Sequence, residues 1–313
     1  LNKRSNLNLP LFIYRKLKTN TDKSNISSRI IKIAIFSVFV GIFVSLSVVS
    51  IGKGLQISIK ETLFNISSDI SISSYENNNR GIASEIIQES EDIIDEIKTL
   101  YPDIRINSIL EKPSIVTIDN SIETIIFRGI KNELNFKKFD QFILEKLNDN
   151  PNSLNDIIIS KSLLQKLNIS IGDNITLYFQ TFDNQKIPNI RYYRVYGVYE
   201  TDFPDFDSSY IIGSIESLQN LYELNSNDVG AIELIIVDKE SVMDIKNKLS
   251  AQDLLTNNNL SIVTVQDKYN NIFNWISIFD FNIFIVITLM IIVAIISIII
   301  SMLTLIFERI KMI

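Results

Sequence analysis

The side chains that could do chemistry in this sequence are few, and what is missing restricts the function class. The chain contains no Cys and no His. Without these residues there is no thiol nucleophile, no Ser-His-Asp triad, no imidazole base and no common zinc site. We therefore predict a non-catalytic protein that needs no cofactor or metal.

Two strings look superficially like ligand-binding loops. The run Gly52-Lys53-Gly54 lacks the upstream glycine spacing and the Ser or Thr that a P-loop places after its lysine. The acidic cluster Asp202, Asp205 and Asp207 in TDFPDFDSSY could suggest calcium, but an intervening Pro, two Phe and the missing Gly turn and terminal Glu break the EF-hand pattern. We predict no Walker A site and a solvated acidic loop.

Two uncharged apolar segments lie near the ends of the chain. The segments 33–51 and 281–307 approach or exceed the ~20 residues that cross a bilayer as a helix. We predict transmembrane helices over both, the second about 40 Å long at 1.5 Å per residue and so either tilted or projecting as a stalk. A signal peptide is the alternative for the first, but the segment begins too deep, is too long and lacks an A-x-A-like cleavage site.

The charges are divided between the insert and its flanks. Ten of the 30 basic residues and two of the 36 acidic residues lie outside the insert at 52–280, which therefore carries 20 basic and 34 acidic residues. Basic flanks predict that both termini are cytoplasmic and that the insert is periplasmic. An acidic insert lacks the basic face that phosphate contacts need, so we expect no nucleic-acid partner.

The insert alternates between strand and helix periods. Similar patterns at its two ends flank a middle block at about 131–227, which predicts one subdomain interrupted by another. The predicted outer elements are a strand (69–75), a helix (84–100), a strand pair (104–118 and 122–130), a strand (229–237), a helix (240–249) and a strand (260–265). The predicted middle elements are strands (157–159, 175–179 and 192–199), short helices (160–167 and 215–224, the latter capped by Ser214) and a hairpin arm (180–190).

Two features belong to the membrane part. Small residues recur at helical spacing, at Gly41 and Ser45 in the first span and at Ala294, Ser297 and Ser301 in the second, which favours close helix packing in lipid. The cytoplasmic segment 1–32 is either a plain basic tail or an amphipathic helix on the membrane surface. The apolar face of that helix would contain Leu9, Phe12, Ile13 and Leu17.

The order of these parts resembles a known family. The strings ISKSLLQKLNISIGDNITLYF (159–179), VYGVYETDFPDFDSSY (195–210) and FERIKMI (307–313) are similar to the lipoprotein-releasing permeases of LolC/LolE type, within the group that includes MacB and FtsX. The resemblance implies membrane α-helices plus a periplasmic α+β domain. In that architecture two transmembrane helices flank a MacB-like core, a porter-like subdomain with an inserted small α/β subdomain.

The resemblance also implies residue roles and partners. Glu308 and Arg309, in the segment 308–313, would begin the coupling helix that docks on a cytoplasmic ATP-binding subunit. Ile187, Pro188 and Arg191 resemble the end of the arm that recruits a periplasmic lipoprotein carrier, with an ordinary surface hairpin as the alternative. A second permease subunit, identical or different, lipoprotein substrates and membrane lipid complete the expected partners.

The function implied is ATP-driven mechanical release of lipoproteins from the bacterial inner membrane by a multi-pass permease subunit that hydrolyses nothing itself. Because the sequence starts at Leu1 and stops at Ile313, we expect the first half of a four-span subunit. The alternatives are a MacB- or FtsX-type permease with another substrate, a two-span sensor with a periplasmic ligand-binding domain, and a membrane-anchored binding domain.

Overall fold

Two long helices bracket a mixed α/β unit in the computed structural model. The structure describes residues 26–77, 82–88, 90–118, 121–131, 140–147, 154–180, 188–238, 241–251 and 259–310. The predicted amphipathic segment around Leu9 to Leu17 lies outside these residues.

The helices and strands follow one another along the chain in a mixed order. The elements are α1 (Ile26–Ile66), β1 (Ile70–Ser74), α2 (Ser90–Leu100), β2 (Arg105–Ile118), β3 (Ser121–Ile130), β4 (Ile143–Lys146), β5 (Asp156–Ser160), α3 (Lys161–Leu167), β6 (Asn174–Phe179), β7 (Asn189–Tyr199), α4 (Pro204–Asp207), β8 (Tyr210–Ser214), α5 (Ile215–Leu221), β9 (Ala231–Ile235), α6 (Val242–Ser250), β10 (Leu260–Thr264), α7 (Val265–Lys268) and α8 (Asn270–Ile310).

The first compact unit contains residues 1–57 and 272–313, and its described part is the two long helices. Both α1 and α8 have 41 residues, or about 60 Å at 1.5 Å per residue. Each contains a 35-residue stretch, Lys32–Ile66 and Asn270–Thr304, that is long and apolar enough to cross a membrane. Since the hydrocarbon core is only about 30 Å thick, each helix is also long enough to continue beyond it.

The second compact unit, Ser58–Asn271, is built on a ten-stranded sheet. The strands from the two outer parts of the insert lie together in the order β10-β1-β9-β2-β3, and the strands of the middle block continue the sheet as β8-β5-β7-β4. The strands of the outer parts and those of the middle block therefore belong to one hydrogen-bonded sheet.

Six strands of this sheet close into a barrel. The strand β2 pairs with β3, which pairs with β8, then β5, β7 and β6, and β6 returns to β2. The N-terminal half of β2 pairs with β9 and its C-terminal half pairs with β6, so β2 belongs to both the open sheet and the barrel. Closure removes free strand edges from this part of the sheet.

Three aromatic side chains fill the barrel. Phe127, Phe179 and Tyr193 are fully buried or nearly so, and their ring centroids lie 5.0 to 6.4 Å apart. Gly213 of β8 makes room for them, because an added Cβ would lie 2.4 Å from Cζ of Phe127. The Tyr193 hydroxyl shares a 2.7 Å hydrogen bond with the Ser217 hydroxyl of α5, which satisfies its polar end.

Most local predictions from the sequence are confirmed, including the strand pair of β2 and β3 and the cap of α5, where the Glu216 N–H donates to the Ser214 hydroxyl at 3.2 Å. The helix predicted over 84–100 was wrong at its start, since α2 begins at Ser90. The preceding segment is extended because Ile87 pairs with Val229, its N–H donating to the Val229 carbonyl at 2.7 Å.

Candidate functional site

The first candidate site is the packed face of α1 and α8. Gly41 is buried, and an added Cβ would lie 2.2 Å from Cε of Met290. Ser45 and Ala294 both line an apolar cleft of about 300 Å³ between these helices. The structure thus places three of the predicted packing residues at one helix contact, where small side chains allow the backbones to approach.

The other predicted membrane residues lie further along α8. The Ser301 hydroxyl donates to the Ser297 carbonyl at 2.9 Å, so its hydrogen bond is satisfied within its own helix. Neither serine is among the residues lining the cleft in the described part of the chain. Glu308 and Arg309 belong to the last turn of α8, but their side chains lie outside the described residues. Their coupling role stays a prediction.

The predicted arm is the connection between two paired strands. The strands β6 and β7 are antiparallel, and Phe179 opposite Asn189 is their outermost pair. Pro188 and Arg191 are exposed, and Arg191 donates from Nη1 to the neighbouring Ile190 carbonyl at 3.0 Å. Ile187 and the rest of the connection lie outside the described residues. At the described base of the arm, the basic side chain is exposed and binds its own backbone.

A buried ion network joins the barrel to the open sheet, and sequence reasoning missed it. Arg128 of β3 donates from Nη1 to Oε1 of Glu111 at 2.6 Å and from Nη2 to Oε1 of Glu233 at 2.5 Å. The three side chains are only 1 to 7% exposed. Glu111 of β2 also accepts the Ala83 N–H at 2.8 Å, and Glu233 of β9 accepts from the Asn107 amide at 3.3 Å. One guanidinium therefore bridges carboxylates from two other strands.

Glu111 and Arg128 each favour the charged form of the other. Burial opposes ionisation of Glu111, yet the charges of Arg128 and Lys268 together with the Ala83 N–H outweigh it and hold the Glu111 pKa below its ordinary value. Burial likewise opposes the Arg128 charge, but Glu233 and Glu111 raise the Arg128 pKa above its ordinary value. The sequence signal is the pair of adjacent charged residues Glu111-Lys112 in the middle of β2, because neighbouring strand residues point to opposite faces and one of the two charges therefore lies on the inner face.

The acidic cluster is only in part the solvated loop that the sequence predicted. Residues Pro204–Asp207 form a helical turn, and Asp207 is 7% exposed while Asp202 and Asp205 are exposed. The Asp207 carboxylate accepts the Thr201 N–H at 3.1 Å and the Thr201 hydroxyl at 2.7 Å. Burial raises the Asp207 pKa against these hydrogen bonds. Asp207 thus fixes a turn, which explains its burial.

One comparison with known proteins identifies a domain type. The family described as the MacB-like periplasmic core domain matches residues 33–252. A search among curated proteins returned no match.

Solved structures that are similar to this chain share little sequence identity with it. The periplasmic region of MacB from Actinobacillus actinomycetemcomitans is 16% identical, with a TM-score of 0.42, covering 66% of this chain and 92% of that chain. The extracellular domain of the noncanonic ABC-type transporter YknZ from Gram-positive bacteria is 13% identical, with a TM-score of 0.39, covering 62% and 99%. A domain of a putative permease protein from Porphyromonas gingivalis is 14% identical, with a TM-score of 0.32, covering 62% and 88%. Because the family match spans most of the chain, from the first apolar segment to α6, the chain belongs to the family with a MacB-like periplasmic core domain.

Proposed function

We propose that this chain is the force-transmitting part of an ABC transporter permease that releases lipoproteins from the inner membrane to a periplasmic carrier. The observation that carries the proposal is a MacB-like core bracketed by two candidate membrane helices of 41 residues each. The family membership favours a permease over the two-span sensor and the anchored binding domain. A MacB- or FtsX-type permease with another substrate would use the same parts.

The way the helices join the insert supports mechanical transmission. The strand β1 follows α1 and β10 precedes α8, and these two strands pair with Ile70 opposite Thr264. A displacement of either helix would therefore be applied to the same side of the sheet, at the pair of β1 and β10. It must then pass through β9 to reach β2, where the contacts of Arg128 with Glu233 and Glu111 tie the strands together.

The barrel is the part of the insert that we expect to move as a rigid body. Its strands are hydrogen bonded around a closed circuit, and its interior is filled by buried aromatic side chains in mutual contact. Such interiors deform little, so an applied displacement moves the barrel as a whole. A separate cytoplasmic subunit binds and hydrolyses ATP, and a second permease subunit completes the transporter.

The coupling role of the C-terminal turn of α8 has a direct test. In the complete subunit, Arg309→Glu reverses the charge where we propose that the ATPase docks, and like-charge contact costs several kcal/mol. We expect the ATPase to co-purify with wild type and with the control Arg309→Lys, and to be lost with Arg309→Glu. Equal recovery of the ATPase with all three proteins would remove Arg309 from the contact. ATP hydrolysis by the purified chain alone would contradict the whole proposal.

The carrier-binding role of the arm rests on the exposure of its base. Arg191 is exposed, and so are its two neighbours in β7, Ile190 to 40% and Tyr192 to 69%. We expect Arg191→Glu combined with Pro188→Ala to reduce crosslinking to the periplasmic carrier. The matched control is Arg105→Glu, which reverses an exposed charge on β2 away from the arm. Undiminished crosslinking would leave the arm an ordinary surface hairpin.

A further inference from the structure

Three polar side chains connect the membrane helices where their uncharged spans end. Lys53 is the first charge after the first span, and Asp280 is the last charge before the second. The Lys53 ammonium donates to Oδ1 of Asp280. Gln56 completes the group, because its Oε1 accepts from Lys53 at 3.2 Å and its Nε2 donates to Oδ1 of Asp280 at 3.2 Å.

Gln56 is the buried centre of this group. It is 5% exposed, and its Nε2 also donates to the Ile276 carbonyl of α8 at 3.3 Å. A buried amide that lost these partners would leave unsatisfied polar atoms in the interior, which is unfavourable. The three side chains therefore define one relative position of the helices, because only that position satisfies them all.

The apolar contacts below this group define the position much less sharply. Gly52 faces Ile283, with an added Cβ only 2.9 Å from Cδ1, and Gly41 faces the flexible side chain of Met290. In lipid there is no hydrophobic driving force between two apolar helices. Sliding one helix by a turn would bring larger residues to these two places, but both contacts are made by the ends of flexible side chains, which can rearrange.

We propose that Lys53, Gln56 and Asp280 form a polar clasp that fixes the register of α1 and α8 at the end of the spans nearest the insert. The helices then act as one rod, and neither can slide along the other when a force is applied. The clasp itself does not depend on the proposed function, but its role as part of a moving rod rests on that function.

The register can be measured directly because the chain has no native Cys. The reporter is the full-length double variant Gly52→Cys with Ile283→Cys, in native membranes, treated with a short oxidative crosslinker. The off-register control is Gly52→Cys with Ile287→Cys, whose second cysteine lies about one turn further along α8. We expect the first pair to crosslink efficiently and the second poorly.

Removing one member of the clasp should reduce the difference in crosslinking between the two cysteine pairs. Exposed ion pairs contribute up to about 1 kcal/mol, so Lys53→Met or Asp280→Asn should reduce the ratio of in-register to off-register crosslinking by about two- to fivefold. The charge swap Lys53→Asp with Asp280→Lys should restore part of the ratio. A ratio that is unchanged in both single variants would overturn the clasp.

A second measurement tests the rod without confusing it with the proposed function. If the crosslinked 52–283 protein, assembled with its ATPase, hydrolyses ATP at the uncrosslinked rate, the helices do not separate during the cycle. Loss of that activity on crosslinking would overturn the rod. Failure of the uncrosslinked protein to bind any ATPase would count against the proposed function, while the crosslinking ratio would still decide the clasp.

Discussion

Replacing Arg128 by Met should expose how the insert depends on its buried ion network. The substitution keeps much of the side-chain volume but removes the charge that lies between Glu111 and Glu233. Removing one partner from a buried ion pair costs about 3–5 kcal/mol, because an uncompensated charge stays in the interior. Domain stabilities are typically about 5–15 kcal/mol, so the loss would be a large fraction of the total.

The destabilisation caused by Arg128→Met should depend on pH. In the native protein the Glu111 pKa is lowered, so its contribution to the free energy of unfolding is present above the ordinary carboxyl pKa and is lost as the pH falls through the lowered value. Without Arg128, burial dominates and the Glu111 pKa should rise instead. The penalty in Arg128→Met should therefore be largest at neutral pH and shrink on acidification.

The measurement is urea unfolding of the segment 58–271, a compact unit with its own core, followed by circular dichroism between pH 5 and pH 8. The matched control is Lys98→Met, which removes an exposed partner of Asp95 and should cost less than about 1 kcal/mol. Adding Glu233→Gln to Arg128→Met should recover part of the loss. A destabilisation that is small, or that is equal at both ends of the pH range, would refute the electrostatic explanation.

The remaining predictions concern the turn, a close backbone contact and the topology. Asp207→Ala should destabilise the insert by about 1–3 kcal/mol, because it leaves the Thr201 N–H unpaired. Asp207→Asn should cost less, because its amide oxygen still accepts that hydrogen bond. Urea unfolding of the two variants measures the difference. Gly230→Ala should lower the free energy of unfolding by about 1–3 kcal/mol or more, since the new Cβ would lie 2.0 Å from the Ala83 carbonyl oxygen. In the control Gly54→Ala the new Cβ has no atom within 4 Å, so thermal unfolding of the full chain should be unchanged. Ser226 is exposed, so if the insert is periplasmic, Ser226→Cys should react with an impermeant thiol reagent in cells whose outer membrane has been permeabilised. Thr19→Cys should not react. The opposite labelling pattern would reverse the proposed orientation.

The sequence predicts the elements of this fold well where their cause is local. Alternating apolar residues and a short polar turn are enough to place β2 and β3, and a serine followed by an acidic residue is enough to place the start of α5. Barrel closure depends instead on β8 pairing in parallel with β3 and on β6 returning to β2. These pairings join segments far apart in the chain, and no local pattern encodes them.

The errors have the same origin. Ile86 and Ile87 fit the helical stripe of α2, but pairing of Ile87 with Val229 draws them into extended backbone. Asp207 looks like a solvated residue because its neighbours are acidic, yet folding brings its carboxylate onto the Thr201 backbone. In both cases a tertiary hydrogen bond overrides a pattern read along the chain.

The two sites that the sequence did not reveal address the same physical problem. Shifting β9 by two residues would keep every apolar side chain on its own face, because the strand period is two. That shift would move Glu233 about 7 Å from Arg128, so the ion network penalises a register that the apolar pattern tolerates. Sliding α1 by one turn would likewise leave aliphatic contacts that flexible side chains can rearrange, but it would separate Lys53 from Asp280. Buried ion pairs often add little stability compared with apolar residues, and an exposed pair such as Lys53–Asp280 contributes at most about 1 kcal/mol. Under the proposed function, holding the register of strands and helices under load is therefore the better physical reason for charges at these two positions.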